Sequence, residues 1–144
     1  MEFISRSEQE TFGFAKALAS RLRGGEVLAL IGDLGAGKTV FARGLAAGLG
    51  VKENVNSPTF VLMKVYRVKD RLGVRQFVHI DAYRLESGAE LKQIGVEDFL
   101  GKQDTVVLIE WADRVKEILP QKAITIKIKA DEEKREISMS ASQI

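Results

Sequence analysis

The sequence predicts a single α/β domain over residues 1–144, with a largely parallel central sheet, flanking helices and antiparallel hairpin additions. Three observations carry that expectation. The stretch Gly32-Asp33-Leu34-Gly35-Ala36-Gly37-Lys38-Thr39 fits G-x-x-x-x-G-K-[ST] at every fixed position. Glu26 to Ile31 reads as a short buried strand entering that loop, and Val40 to Leu49 as a helix leaving it. Further on, β-rich runs alternate with helical ones, and two strand-like pairs are joined by short polar turns.

The glycines let the backbone curl around an anion and turn successive N–H groups inward, in conformations that a Cβ resists. Lys38 then reaches β- and γ-phosphates, and the Thr39 hydroxyl is available to Mg²⁺. A strand before the loop and a helix after it complete the arrangement, so the expected class is a P-loop NTPase domain. The loop names a nucleoside triphosphate but no task, because kinases, hydrolases and switches all use it.

The bulk properties narrow the field. A chain of 144 residues accommodates one sheet with its helices, and a second domain would have too little core. Hydrophobic residues at 45% and charged ones at 29% are those of a folded globular protein. The net charge of +2 comes without a lysine or arginine block, which permits an RNA or acidic partner and requires neither. With no cysteine, disulfides, zinc-thiolate sites and thiol nucleophiles are excluded. Apolar runs such as Val106 to Ile109 fall far below the ~18 residues of a membrane span, and the start of the chain lacks a signal-peptide pattern. The expected location is the cytoplasm.

In chain order, Glu2 to Ser5 reads as an edge strand. Ser7-Glu8-Gln9-Glu10 is a capping-box signature in which Ser7 and Glu10 satisfy each other's free N–H groups. Phe12, Ala15, Ala19 and Leu22 give the following helix one apolar face, ended by Gly24-Gly25. After the loop helix, Gly48 and Gly50 are expected to stop it, and a polar connection leads to Ser57-Pro58-Thr59-Phe60. Proline holds this segment extended and exposes two hydroxyls. They either bond to nearby backbone or sense a γ-phosphate and Mg²⁺, as switch loops do.

Thr59 to Val68 and Val74 to Ile80 read as a hairpin around Lys69-Asp70-Arg71-Leu72-Gly73. Asp81 ends its second arm, where ligands of open α/β sheets gather. It either caps the next segment or holds Mg²⁺ or an attacking water. His79, the one histidine, is expected to be structural. Glu86 to Phe99 supplies one or two short helices interrupted at Gly95, with acids on a solvated face.

Thr105 to Ile109 is a fully buried strand by composition, and Glu110-Trp111 closes it. An apolar strand ending in a carboxylate is a Walker-B-type arrangement, with charge beside the loop where Mg²⁺ is held. Trp111, the one tryptophan, either belongs to the core or covers the nucleotide site. Ala112 to Leu119 reads as a short helix stopped by Pro120. Ala123 to Lys129 and Arg135 to Ala141 alternate around Asp131-Glu132-Glu133-Lys134, a terminal hairpin with one wet face from which Lys134 or Arg135 could lie over a nucleotide.

Taken together, G-D-L-G-A-G-K-T, S-P-T-F, H-I-D-A-Y-R-L and L-I-E-W closely resemble the TsaE (also called YjeE) family, small bacterial ATPases of tRNA threonylcarbamoyladenosine biosynthesis. The likeness covers nearly the whole chain. It implies a P-loop ATPase with ATP and Mg²⁺ that works with two larger partners, TsaB and TsaD. Those partners transfer the threonylcarbamoyl group to tRNA, while the ATPase keeps their complex turning over and meets tRNA only through it. The resemblance matches Thr39 and Glu110 to Mg²⁺-binding positions and Leu34, Gly35, Ala36, Gly37, Lys38 and Thr39 to the phosphate cradle, with Asp33 beside them among the ATP-binding residues. Asp81 matches a metal-side or water-side carboxylate. Ser57, Pro58 and Thr59 match a switch-like loop, with Trp111 after the strand-end acid, and Glu8 and Arg135 match the adenine side.

Two other readings use the same residues. A small phosphotransferase would have Asp81 deprotonate a hydroxyl acceptor while Arg84 steadies the transferred group. A nucleotide-controlled binding module would have Thr59 order the Ser57 loop when ATP is bound. Against the first, no lid-like segment of several arginines is visible.

Overall fold

The computed structural model describes residues 1–33, 35–56 and 62–140. Seven strands form one sheet: β1 (Glu2–Ser5), β2 (Val27–Gly32), β3 (Met63–Arg71), β4 (Val74–Asp81), β5 (Thr105–Glu110), β6 (Ile124–Asp131) and β7 (Lys134–Met139). Their order across the sheet is β1-β7-β6-β2-β5-β4-β3. The centre is parallel, β6 with β2, β2 with β5 and β5 with β4, whereas β3 and the β7–β1 pair extend the edges antiparallel. This is the expected class.

The sheet divides the core in two. On one face Leu28, Leu30, Leu108 and Ile126 pack under α1 (Glu8–Ala19) and α2 (Lys38–Leu49). On the other, Ala29, Val78, Ile80, Val107 and Ile109 are covered by Leu85, Leu91, Val96 and Ile118, from α3 (Ala89–Gln93) and the turns around it. Successive residues of the central strands therefore face different cores, and β5 is buried at every position, as an all-apolar run without alternation requires.

Local differences from the expectation have physical causes. Ser7 caps α1, its Oγ accepting the N–H of Glu10 at 3.1 Å, but the Glu10 carboxylate accepts the N–H of Arg6 at 3.0 Å. The box is therefore shifted by one residue at its return bond. Gly48 does not stop α2; it lies inside the helix, which ends at Gly50 with φ 91°. A Cβ at Gly48 would sit 2.5 Å from the carbonyl oxygen of Lys16, so its role is to let α1 and α2 touch backbone to backbone.

The first hairpin has a tighter turn than its sequence suggests. Strands run to Arg71 and from Val74, and Leu72 and Gly73 both take positive φ (57° and 94°), the form whose twist matches the strands. Residues 112–119 form two 3₁₀ turns, Ala112–Arg114 and Lys116–Ile118, rather than one helix. Trp111 precedes them in a left-handed conformation (φ 58°, ψ 39°) and redirects the chain as it leaves β5.

Candidate functional site

The loop after β2 opens at the carboxyl ends of the parallel strands, the place where open α/β sheets bind ligands. Gly35 and Gly37 have φ of 77° and 102°, a conformation side chains resist, and Gly37 caps α2 without any side-chain bond. No acid occupies the first turn of α2. The positive end of a 12-residue helix is thus left to an external anion.

Lys38 is 6% exposed and folds back onto its own loop, Nζ donating to the carbonyl oxygens of Gly32 at 2.6 Å and Asp33 at 2.5 Å. Its Nζ also lies 4.2 Å from the centre of the Trp111 ring. Burial pulls the lysine pKa down, against the opposing charges of Glu110, Asp33, Asp81 and Asp113. The ammonium is held ready but under-solvated.

Asp81 and Glu110 are register partners across the parallel β4–β5 pair. Burial raises the Asp81 pKa; the Tyr83 N–H, which donates to Oδ1 at 2.9 Å, works the other way, and the Glu110 charge adds to the rise. Asp81 therefore does make the local turn bond that its capping alternative requires, and it also faces the cleft. Glu110 is 2% exposed, with Oε2 2.5 Å from Nε2 of the fully buried His79.

Glu8, Lys38, Thr39, Asp81, Glu110 and Trp111 line one cleft of about 400 Å³ together with Gly35 and Gly37. Trp111 is a wall of this cleft, half-buried, its ring centroid 4.9 Å from that of Tyr83. The Arg114 guanidinium lies 5.1 Å from the Trp111 ring and 5.2 Å from the Tyr83 ring, and it donates to the Tyr83 carbonyl at 2.5 Å. A neighbouring cavity of about 280 Å³ runs from Gly35 past Glu8 to Arg135. Arg135 donates to the Gly35 carbonyl at 3.3 Å, tying the terminal hairpin to the loop.

Not every candidate enters the cleft. Asp33 is exposed and contributes its carbonyl to Lys38, while Ala36 is fully buried and its N–H closes the turn onto the Asp33 carbonyl at 3.1 Å. Leu34, Ser57, Pro58 and Thr59 lie outside the described residues. Sequence reasoning missed His79, Tyr83 and Arg114 as parts of the site. Only His79 carried a signal, two residues before Asp81 on a strand and hence on the same face.

Among the described residues no group of three or more His, Asp and Glu forms a metal cage. A hydroxyl at the start of α2 beside two strand-end carboxylates is instead the donor set of Mg²⁺, a hard ion that keeps waters and shares nucleotide phosphates. The residues present fit that ion.

The family described as "Threonylcarbamoyl adenosine biosynthesis protein TsaE" matches residues 5–137. The chain belongs to the TsaE family. A TsaE of Bacillus subtilis, named a tRNA threonylcarbamoyladenosine biosynthesis protein, is 43% identical over 92% of this chain and 80% of its own length. The protein of the same name from Treponema pallidum is 39% identical over 90% of this chain and 91% of its own. In three dimensions the crystal structure of Bacillus subtilis YdiB is similar, with a TM-score of 0.79 and 36% identity over 96% of this chain and 83% of that one. No helix among the described residues is long and apolar enough to cross a membrane.

Proposed function

We propose that this TsaE-family chain binds and hydrolyses ATP with Mg²⁺ in the cytoplasm, in support of tRNA threonylcarbamoyladenosine biosynthesis, acting with TsaB and TsaD and not as the transferase. The observation that carries this reading is the meeting of Lys38 and Thr39 with the paired acids Asp81 and Glu110 in one cleft. The adenine side would be the cavity between Glu8 and Arg135.

On ATP binding, Lys38 exchanges its two carbonyl partners for phosphate oxygens, and the N–H groups of the loop and of α2 take the remaining charge. Thr39 and Glu110 would hold Mg²⁺, which supplies charge neutralisation at the β- and γ-phosphates. Asp81, as a metal-side or water-side carboxylate, would orient the attacking water in line with the bond that breaks. Catalysis of this kind is positioning plus electrostatics, and partners gain control of it by completing the geometry.

The test is hydrolysis and threonylcarbamoyl incorporation with purified TsaB, TsaD and tRNA. Partner-stimulated ATP turnover and incorporation, both lost in Lys38→Ala, are expected. Incorporation that is indifferent to the wild-type protein would refute the assignment to this pathway.

A further inference from the structure

His79 is the one fully buried residue of β4 whose side chain combines apolar packing with a polar bond into the cleft. Its ring continues a column of stacked rings, 6.1 Å from Phe77, which in turn is 6.0 Å from Tyr66. A phenylalanine would extend that column without burying two ring nitrogens, one of which, Nδ1, has no hydrogen-bond partner among the described residues. The other, Nε2, meets Glu110 Oε2 at 2.5 Å. A carboxylate that holds a cation only accepts, so in that role the hydrogen of this bond lies on Nε2.

We infer that His79 is a positioning residue that fixes the Glu110 carboxylate in the orientation from which it serves a divalent cation at the cleft. The inference rests on the reading of Glu110 as a Mg²⁺ position and names what holds it there. Both partners stand on the two adjacent parallel strands, His79 in register with Leu108 and Glu110 the next residue on the same face. The bond is therefore set by the sheet and not by a loop. Its restraint matters because Lys38 lines the same cleft and its charge is coupled to that of Glu110. A carboxylate drawn to that ammonium would compete with the phosphates for Lys38. A single ring N–H orients the acid without the two-pronged grip of an arginine fork, and ligating carboxylates elsewhere are hydrogen-bonded in the same way.

Asparagine and glutamine separate position from polarity, since the longer side-chain amide of His79→Gln reaches towards the place of Nε2 and the shorter one of His79→Asn does not. Mn²⁺ serves as the probe, its free fraction counted by its spin-resonance signal during titration of the ADP-bound chain. Glu110→Ala is the control, and thermal melting checks folding of each variant. We expect His79→Asn to weaken Mn²⁺ binding about tenfold or more and His79→Gln to stay within about threefold of wild type. Equal affinities for the two variants would overturn the positioning role while leaving the metal reading intact. An unchanged affinity in Glu110→Ala would instead remove the metal reading, and the inference with it.

Discussion

The Lys38 cleft and the neighbouring Arg135 cavity, which we propose take the phosphates and the adenine side of ATP respectively, are built differently. At the phosphate end, Lys38, Asp81 and Glu110 are at most 8% exposed and stand on β4, β5 and the first turn of α2, at the parallel centre of the sheet. At the nucleoside end, Glu8 comes from the first helix and Arg135 from the last strand, and they line a cavity near the edge that the β7–β1 pair forms. The first region holds its charges buried on adjacent elements at the centre of the sheet; the second assembles a surface from elements far apart in the sequence. Affinity should accordingly reside in the phosphates and selectivity in the edge.

Lys38→Ala is the largest break. It removes the buried cation, and nucleotide affinity measured by calorimetry should fall about 100-fold, as loss of a charge-assisted bond of ~3 kcal/mol implies. Next come the two acids. Glu110→Gln should raise the Mg²⁺ concentration for half-maximal turnover by about tenfold, more than Asp81→Asn does, since Glu110 closes the fully buried strand. Identical Mg²⁺ dependence in the wild type and Glu110→Gln would refute the assignment of the metal to that carboxylate.

Arg135→Ala tests the other end. Its bond to Gly35 is exposed, so ATP affinity should drop only about three- to fivefold, roughly 1 kcal/mol, with the preference for ATP over GTP reduced and turnover at saturation retained. A fall as deep as that of Lys38→Ala would erase the contrast between the two ends.

The smallest effect is on the free protein. Because burial raises the Asp81 pKa, the native state binds that proton more tightly than the unfolded chain does. The resulting stability is fully present below the unfolded pKa and is lost as pH rises through the native one. Above the unfolded pKa the raised native pKa is a cost, and Asp81→Asn, which keeps an acceptor for the Tyr83 N–H, should raise the melting temperature by about 2–5 °C at pH 7 and by little at acidic pH. Equal gains at both pH values would show that the charge is not the cause.

The contrast also explains what the sequence made legible. The phosphate loop is contiguous, its glycines and lysine answer to backbone geometry, and the strand before it and the acid after β5 follow from runs of apolar residues. Glu110 as a strand-end acid needed no tertiary information. Its partner His79 lies 31 residues away, and only the parallel register of β4 on β5 brings the two together. Gly48 was misread as a terminator because its cause is α1, a different helix. The 3₁₀ turns after Trp111 escaped because a left-handed tryptophan carries no compositional mark. The sequence left Trp111 between the core and a cover for the nucleotide; the structure makes it a half-buried wall of the cleft, with Lys38, Tyr83 and Arg114 around it.

That environment supplies the most direct measurement. Trp111 is the only tryptophan of the chain and its ring contacts the lysine that, on the proposed reading, leaves its carbonyl partners when phosphates arrive. Its emission should change saturably when ATP is titrated in the presence of Mg²⁺, much less without the metal, and in Lys38→Ala only at about 100-fold higher ATP. A Trp111 signal that is flat in the wild type, with no heat of ATP binding in the calorimeter, would contradict the account at its centre.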